Sequence, residues 1–208
     1  MLTCQSFKKS FFLSTFLLVA LFGFTSCGGN REVDTKEVAN TLNEPKSDAT
    51  KERDEKFLVR AAEINFEEIM LGKLVQQRTV SEDLKAMAKM FEETHRSANV
   101  ELRALAMSKS IAVPTAATKN VMDHYDQLNL KPTKEFDREY CGMAVKNHQE
   151  AISYFESYTN GPCDQDIKIW ALGVLPDMRI HMQKAMDMEL QITSPVSELV
   201  RESERVRG

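Results

Sequence analysis

The chain has 208 residues, of which 42% are hydrophobic and 28% are charged, and its formal net charge at pH 7 is -4. This composition is typical of one globular domain with a sizeable core and excludes disorder throughout. The charges are interspersed and nearly balanced, so the sequence lacks the broad basic face that gathers nucleic acid. We therefore expect no nucleic-acid partner.

The first segment of the chain has the pattern of an export signal. Two lysines precede an apolar run over residues 11–24 that is too short to span a bilayer, so residues 1–26 are predicted to be a cleaved signal peptide. The Phe-Thr-Ser-Cys sequence that ends at Cys27 resembles the bacterial lipobox, in which the peptide is cut before an acylated cysteine. An aspartate directly after the acylated cysteine would favour retention in the inner membrane. The residue at this position is Gly28, so the outer membrane is favoured.

The resulting expectation is an outer-membrane lipoprotein, anchored through Cys27, whose domain lies in the periplasm or at the cell surface. The alternative is an unmodified cysteine beside an ordinary signal-peptidase site. Residues 27–54 are mostly charged or small and polar, and are predicted to be the lipidated cysteine and a flexible tether. Residues 193–208 are predicted to be a polar C-terminal tail.

Between residues 55 and 192 the apolar residues recur at helical steps of three and four. The first of four long helices is predicted over about 55–78, Ser81 and Thr133 are expected to cap the second and third, and the fourth begins near Asp164. A short extra helix is predicted within 115–130. Each long helix has one apolar stripe, and the four stripes can be buried only against one another. The fold class is therefore all-α, a four-helix bundle with a short extra helix between its second and third helices.

Each apolar stripe is interrupted by one ionisable side chain near the middle of its helix. These residues are Glu68, His95, His148 and His181. One carboxylate and three imidazoles that converge in a bundle core suit a divalent transition metal, with Fe, Mn and Zn as the candidates. The polar residues within one turn of them, which are candidates for hydrogen bonding to such ligands, are Asn65, Glu92, Asn99, Asn147 and Asp177.

The same cluster also fits a metal-free interpretation, because buried histidines can hydrogen-bond one another and set helix register. Glu92 stands three residues before His95, which is the spacing of carboxylate-bridged di-iron bundles. Val145 and Met178 occupy the matching positions before the other two histidines, which disfavours di-iron ferroxidase chemistry. His124, in the connection, is expected at the surface without a clear role.

An ordered series of segments surrounds these positions: AAEINFEEI at 61–69, LGKL at 71–74, TH at 94–95, FDREY at 136–140, VKNH at 145–148 and LP at 175–176 ahead of His181. Over residues 55–188 the chain resembles an exported bacterial family known as domain of unknown function 4142, often called an outer membrane protein. The resemblance implies a ferritin-like four-helix fold in a periplasmic or outer-membrane protein, frequently a lipoprotein, without an established activity. The two Asp-His pairs of the family are represented here by Thr94-His95 and Asn147-His148, which removes a carboxylate beside each of two histidines.

Three functions remain open at this point. The leading one is a non-enzymatic, lipid-anchored envelope protein with a binding or structural role and an unknown protein partner. The second is a metal-binding or ferritin-like redox protein that uses the Glu/His cluster. The third is a partner-binding module formed by Met178, Met182, Met186 and Met188. The sequence has no glycine-rich phosphate loop, CxxC, HExxH or GxSxG motif, so the common nucleotide-binding and hydrolase enzymes are not expected, although metal-dependent redox chemistry is not excluded.

Overall fold

The computed structural model describes residues 34–43 and 48–194. The predicted signal peptide, Cys27 and nearly all of the predicted C-terminal tail lie outside the described residues. Within the described ranges the chain is all-α, and its helices are α1 (Thr35–Leu42), α2 (Ala49–Arg78), α3 (Glu82–Ser108), α4 (Lys119–Asn129), α5 (Thr133–Thr159) and α6 (Gln165–Thr193). None of these helices is long and apolar enough to cross a membrane.

The prediction of a flexible tether over residues 27–54 is wrong for the part that the structure describes, which is largely helical. Asp34 caps α1, and Asp48 caps α2, which begins at Ala49 and not near residue 55. The side chain of Asn43 also donates to the carbonyl of Ala112 at 2.7 Å and accepts from its N–H at 2.8 Å. This polar segment is ordered by partners about 70 residues away in sequence, which its composition does not reveal.

The long helices α2, α3, α5 and α6 form a bundle in which α2 pairs with α3, α5 pairs with α6, and α3 packs against α6. The sequence left open whether the connection between α3 and α5 crosses the bundle. Lys109, just after α3, bonds Asp164, just before α6, at 2.8 Å, whereas Thr79, just after α2, bonds Asp137 in α5 at 3.1 Å. Therefore α3 ends at one end of the bundle and α5 begins at the other. This lengthwise crossing is the connection of a ferritin-like bundle, which confirms the predicted fold.

The predicted short helix in this connection is confirmed as α4, which runs along α2. Before α4, the hydroxyl of Thr118 donates to Glu63 at 3.0 Å. After α4, Arg78 donates to the carbonyl of Lys131 at 2.9 Å. By following α2 from its middle to its end, α4 covers a second face of that helix, which explains why α2 is buried on more than its apolar stripe.

Two hydrophobic clusters fill the bundle, one toward each end. The first is built around Phe57, Leu102, Phe155 and Ile167, and the second around Leu71, Leu84, Phe136 and Ala185. Along every long helix, the predicted ionisable residue falls between the positions that contribute to the first cluster and those that contribute to the second. The middle of the bundle is therefore a polar layer between two apolar halves.

The close approach of α2 and α3 depends on Gly72, where an added Cβ would lie 2.8 Å from the backbone oxygen of Ala88. We expect Gly72→Ala to lower the free energy of unfolding by about 1–3 kcal/mol through overpacking. The matched control is Gly173→Ala in α6, where an added Cβ meets nothing within 4 Å. That change should raise the free energy by about 0.5–1 kcal/mol through helix propensity. Urea unfolding followed by circular dichroism measures both, and effects of the same sign would contradict the close approach.

Candidate metal centre

Three histidines from three helices meet in the polar layer. His95 of α3, His148 of α5 and His181 of α6 are each 2% exposed. One ring nitrogen of each lies within 4.8 Å of those of the other two. Nε2 of His148 is 3.4 Å from Nε2 of His95 and 3.2 Å from Nδ1 of His181. Among the described histidine, cysteine and acidic residues, these three histidines form the group that is placed to hold a metal ion.

The hydrogen bonds on the outer edges of the rings determine where the protons are. Nδ1 of His148 donates to the carbonyl of Ala144 at 2.8 Å, and Nδ1 of His95 donates to Oδ1 of Asn65 at 2.9 Å. A neutral imidazole carries one N–H, so Nε2 of each of these two rings presents a lone pair to the centre. Two lone pairs cannot hydrogen-bond each other, and an Nδ1–H on His181 can satisfy only one of them.

The spacing of the inward nitrogens suits metal coordination. Bonds of about 2.0–2.1 Å at tetrahedral angles place two ligand nitrogens about 3.3 Å apart. The two separations centred on His148 are 3.2 and 3.4 Å. Imidazole nitrogen is a ligand that zinc, iron and other divalent transition ions accept. The donor type and the two separations at His148 therefore fit a three-histidine metal site, and the nitrogens of His95 and His181 lie within 4.8 Å of each other.

Burial keeps the three rings neutral at physiological pH. It lowers the pKa of His95 well below its usual value, and the neighbouring rings of His148 and His181 lower it further. Burial likewise lowers the pKa of His148 to about 4 and that of His181 to about 3. Because protons bind these rings only in acid, they do not compete for the inward lone pairs at neutral pH.

An aromatic ring that the sequence did not single out for the site packs against the histidines. The ring of Phe91 in α3 stacks on His181 with centroids 4.2 Å apart and lies 5.1 Å from the ring of His148. Phe91 stands one turn before His95 and is fully buried. It restricts the orientation of two of the three rings and excludes water from that side.

Glu68 lies beside the centre and not within it. Its Oε1 is 4.0 Å from Nδ1 of His148, whereas the nitrogen that faces the other histidines is Nε2. Burial raises the pKa of Glu68 to about 8, and the charge of Glu67 adds to the shift. Of the four predicted ligands, the three histidines therefore face one another. Glu68 lies behind His148, and its carboxyl group is largely protonated.

Two of the predicted surrounding residues support the centre. Asn65 accepts from His95, as described above. Nδ2 of Asn147 donates to Oε1 of Glu67 at 3.0 Å and lies 3.5 Å from Oε1 of Glu68. These contacts hold one ring and the buried carboxyl in place.

The other three predicted surrounding residues have different environments. Nε2 of Gln76 donates to Glu92 at 2.7 Å, so this carboxylate is committed to the α2–α3 contact. Asn99 is buried, and its Oδ1 has no hydrogen-bond partner among the described residues. Asp177 is exposed and lines a cleft between α3 and α6.

The expectation that His124 has no role is corrected. Nδ1 of His124 lies 2.7 Å from Oε1 of Glu67, which is only 4% exposed. This pair joins α4 to α2, and Asn147 of α5 donates to the same oxygen of Glu67. The sequence contained no signal for it, because Glu67 is off the apolar stripe and its partner depends on where α4 packs.

The methionines of α6 do not form one exposed surface. Met178 is 1% exposed in the first hydrophobic cluster, and Met188 packs against the second. Met186 is 40% exposed. Half of this series, Met178 and Met188, therefore serves as core packing.

A cleft of about 290 Å³ reaches the centre from the surface between α3 and α6. Its floor includes His95 and His181. Its remaining polar and small wall residues include Thr94, Ser97, Glu101, Gly173 and Asp177. His95 and His181 are therefore buried but approachable from one side of the bundle.

The raised pKa of Glu68 predicts a loss of stability at alkaline pH in metal-free protein. The folded state holds a proton that the unfolded state releases above about pH 4.5, so stability falls as pH rises toward the folded pKa of about 8. We expect the free energy of unfolding to drop by about 1–2 kcal/mol between pH 6.5 and 8, since one pKa unit corresponds to about 1.4 kcal/mol. Glu68→Gln should flatten this slope in urea titrations with chelator, whereas the exposed Glu150→Gln should leave it unchanged. Equal slopes in all three proteins would contradict the assignment.

Comparison with known proteins agrees with this architecture. The model of the family described as "Domain of unknown function (DUF4142)" matches residues 39–188. Among solved structures, the "Crystal structure of DUF305 fragment from Deinococcus radiodurans" matches with a TM-score of 0.58 and 10% sequence identity, covering 70% of this chain and 98% of that chain. At that identity the likeness extends to the helical fold alone. No curated protein matches the chain.

Proposed function

The chain belongs to the family of domain of unknown function DUF4142, and we propose that its bundle binds one divalent transition-metal ion through His95, His148 and His181. The observation that carries the proposal is the convergence of inward nitrogens at 3.2 and 3.4 Å, two of them with lone pairs assigned by outer hydrogen bonds. A metal ion satisfies all three nitrogens at once. Among the described protein groups, a metal-free network offers no donor to Nε2 of His95.

The donor set favours one metal ion and not two. A di-iron centre needs bridging carboxylates, but Glu92 is bonded to Gln76 and Glu68 lies on the Nδ1 side of His148. Three nitrogen donors favour zinc or iron over manganese, which prefers oxygen ligands. Because the rings are neutral, the bound ion brings positive charge into the core. Glu68 is the nearby group that can offset this charge by losing its proton.

The second candidate function is a metal-free structural network, for which the 3.2 Å contact between His148 and His181 is the favourable observation. In that case one N–H···N bond between the helices of the α5–α6 pair would set their register. Such a network accounts for two of the three rings. It offers no donor for Nε2 of His95, which is why metal binding is the stronger proposal.

Metal content of the mature protein, purified in detergent without chelator or affinity histidines, tests the proposal. We expect close to one Zn or Fe per chain by elemental mass spectrometry, and loss of that metal in His148→Ala because its Nε2 contacts both other rings. His124→Ala, which removes a partly exposed histidine outside the triangle, should retain it. Metal-free protein that also refuses added Zn²⁺ would leave the structural network as the explanation.

For the site of action, we propose a bacterial cell envelope in which the protein is anchored by acylation of Cys27. The lipobox-like sequence supports this location, and the fold adds a constraint on it. Helix α1 is docked on the bundle from residue 35, so only residues 28–33 lie between Cys27 and its cap, Asp34. A chain of that length reaches at most about 25 Å. A tether of residues 28–33 is shorter than the predicted tether that extends to residue 54. In this proposal the domain therefore stays closer to the membrane.

Lipid anchoring is tested by expressing the full chain in a bacterium that processes lipoproteins. We expect Cys27→Ser to lose the acyl mass of the mature N-terminus and to move from the detergent phase to the aqueous phase, because two or three acyl chains supply the anchoring. Cys4→Ser is the matched control, since Cys4 lies within the predicted signal peptide, and it should leave both properties unchanged. An unacylated Cys27 in the wild-type protein would contradict the anchor.

A further inference from the structure

Among the described His, Cys, Asp and Glu side chains, the group that is placed to hold a metal ion consists of His95, His148 and His181. Closed structural zinc sites use four protein ligands, whereas sites with three protein ligands hold water or substrate at a remaining position. In the described part of the chain, no cysteine or carboxylate joins the three inward nitrogens. Glu68 is placed at the other ring nitrogen of His148, and Glu92 is committed to Gln76.

The cleft between α3 and α6 reaches this incomplete set of donors. Two of the three histidines, His95 and His181, line it. Its volume of about 290 Å³ compares with about 30 Å³ for one water in the liquid. The cleft therefore has room for several small molecules.

We propose that the centre is an open metal site whose remaining coordination position is taken by water or another small inorganic ligand that enters through the α3–α6 cleft. This inference rests on the proposed metal binding and specifies what else the metal holds. The ligand is exchangeable, because it reaches the metal through a cleft lined by exposed as well as buried residues and not by opening of the core.

The walls of the cleft are suited to a small hydrogen-bonding ligand. Thr94 and Ser97 bring hydroxyl groups next to His95 along α3. Trp170 also lines the cleft, and its buried indole N–H has no acceptor among the described residues. Asp177 stands one turn before His181 on α6 and adds a carboxylate. Donors and an acceptor thus accompany the passage to the metal position.

Gly173 provides a way to close the passage without disturbing the ligands. It lines the cleft, and a Cβ built there meets nothing within 4 Å. A large side chain at this position can therefore extend into the cleft without a backbone clash. Gly142 in α5 is the matched control, because its added Cβ meets only Oε1 of Glu189 at 3.5 Å and it lies outside the cleft.

The experiment uses the mature protein in detergent, stripped of metal and loaded with Co²⁺, whose visible absorption reports its coordination. Azide is the probe ligand. We expect azide to shift the Co²⁺ bands of the wild-type protein in a saturable way. Gly173→Phe should bind Co²⁺ with the same initial spectrum but require about tenfold more azide or more, because the added ring excludes the ligand. Gly142→Phe should titrate like the wild type.

The possible results separate the two proposals. Co²⁺ bands that azide leaves unchanged in the wild-type protein would overturn the open site while leaving the three-histidine metal site intact. An azide response of equal affinity in Gly173→Phe would overturn the cleft as the route. Absence of any Co²⁺ spectrum in wild-type protein would overturn the metal site itself, and the open site with it.

Discussion

The structure depends on how three neutral histidines are satisfied inside an apolar bundle. The carbonyl of Ala144 and the side chain of Asn65 accept the Nδ1 protons of His148 and His95, so the remaining lone pairs must face the centre. The hydrophobic clusters on both sides make protonation of the rings unfavourable. These two constraints leave inward lone pairs that the described protein groups do not all satisfy, and they are the basis of the proposed metal site.

The crossing connection supports this layer from outside. Helix α2 carries buried carboxyl groups on a face away from its apolar stripe, and such groups need partners once water is removed. The segment before α4 supplies Thr118 to Glu63, and α4 supplies His124 to Glu67. Helix α1 adds Lys36, whose ammonium lies 2.7 Å from Glu63. The connection and the N-terminal helix therefore complete the bundle by pairing polar groups that four helices alone would leave exposed.

The chain has a ferritin-like fold but lacks the donors of a carboxylate-bridged centre. In such bundles acidic residues dominate the metal site, whereas here Val145 and Met178 stand three residues before His148 and His181. The remaining donors are nitrogens in a neutral layer, and the nearest carboxyl has a pKa of about 8. Fold likeness alone does not assign an activity, and the proposal of a single ion held by imidazoles rests on the side chains.

The sequence by itself determined the four long helices of the bundle, apart from the early start of α2, together with their apolar stripes and the ionisable residue at the middle of each stripe, because the helical period is a local property of the chain. Tertiary structure decided which of those residues meet. Glu68 shares the layer with the histidines but lies at the outer nitrogen of His148, and Glu92 has the spacing of a ligand but bonds to Gln76. The direction of the crossing, the docking of α1 and the partner of His124 were also decided by tertiary structure. Each depends on the rotation and placement of one helix against another, which contacts between residues far apart in sequence determine.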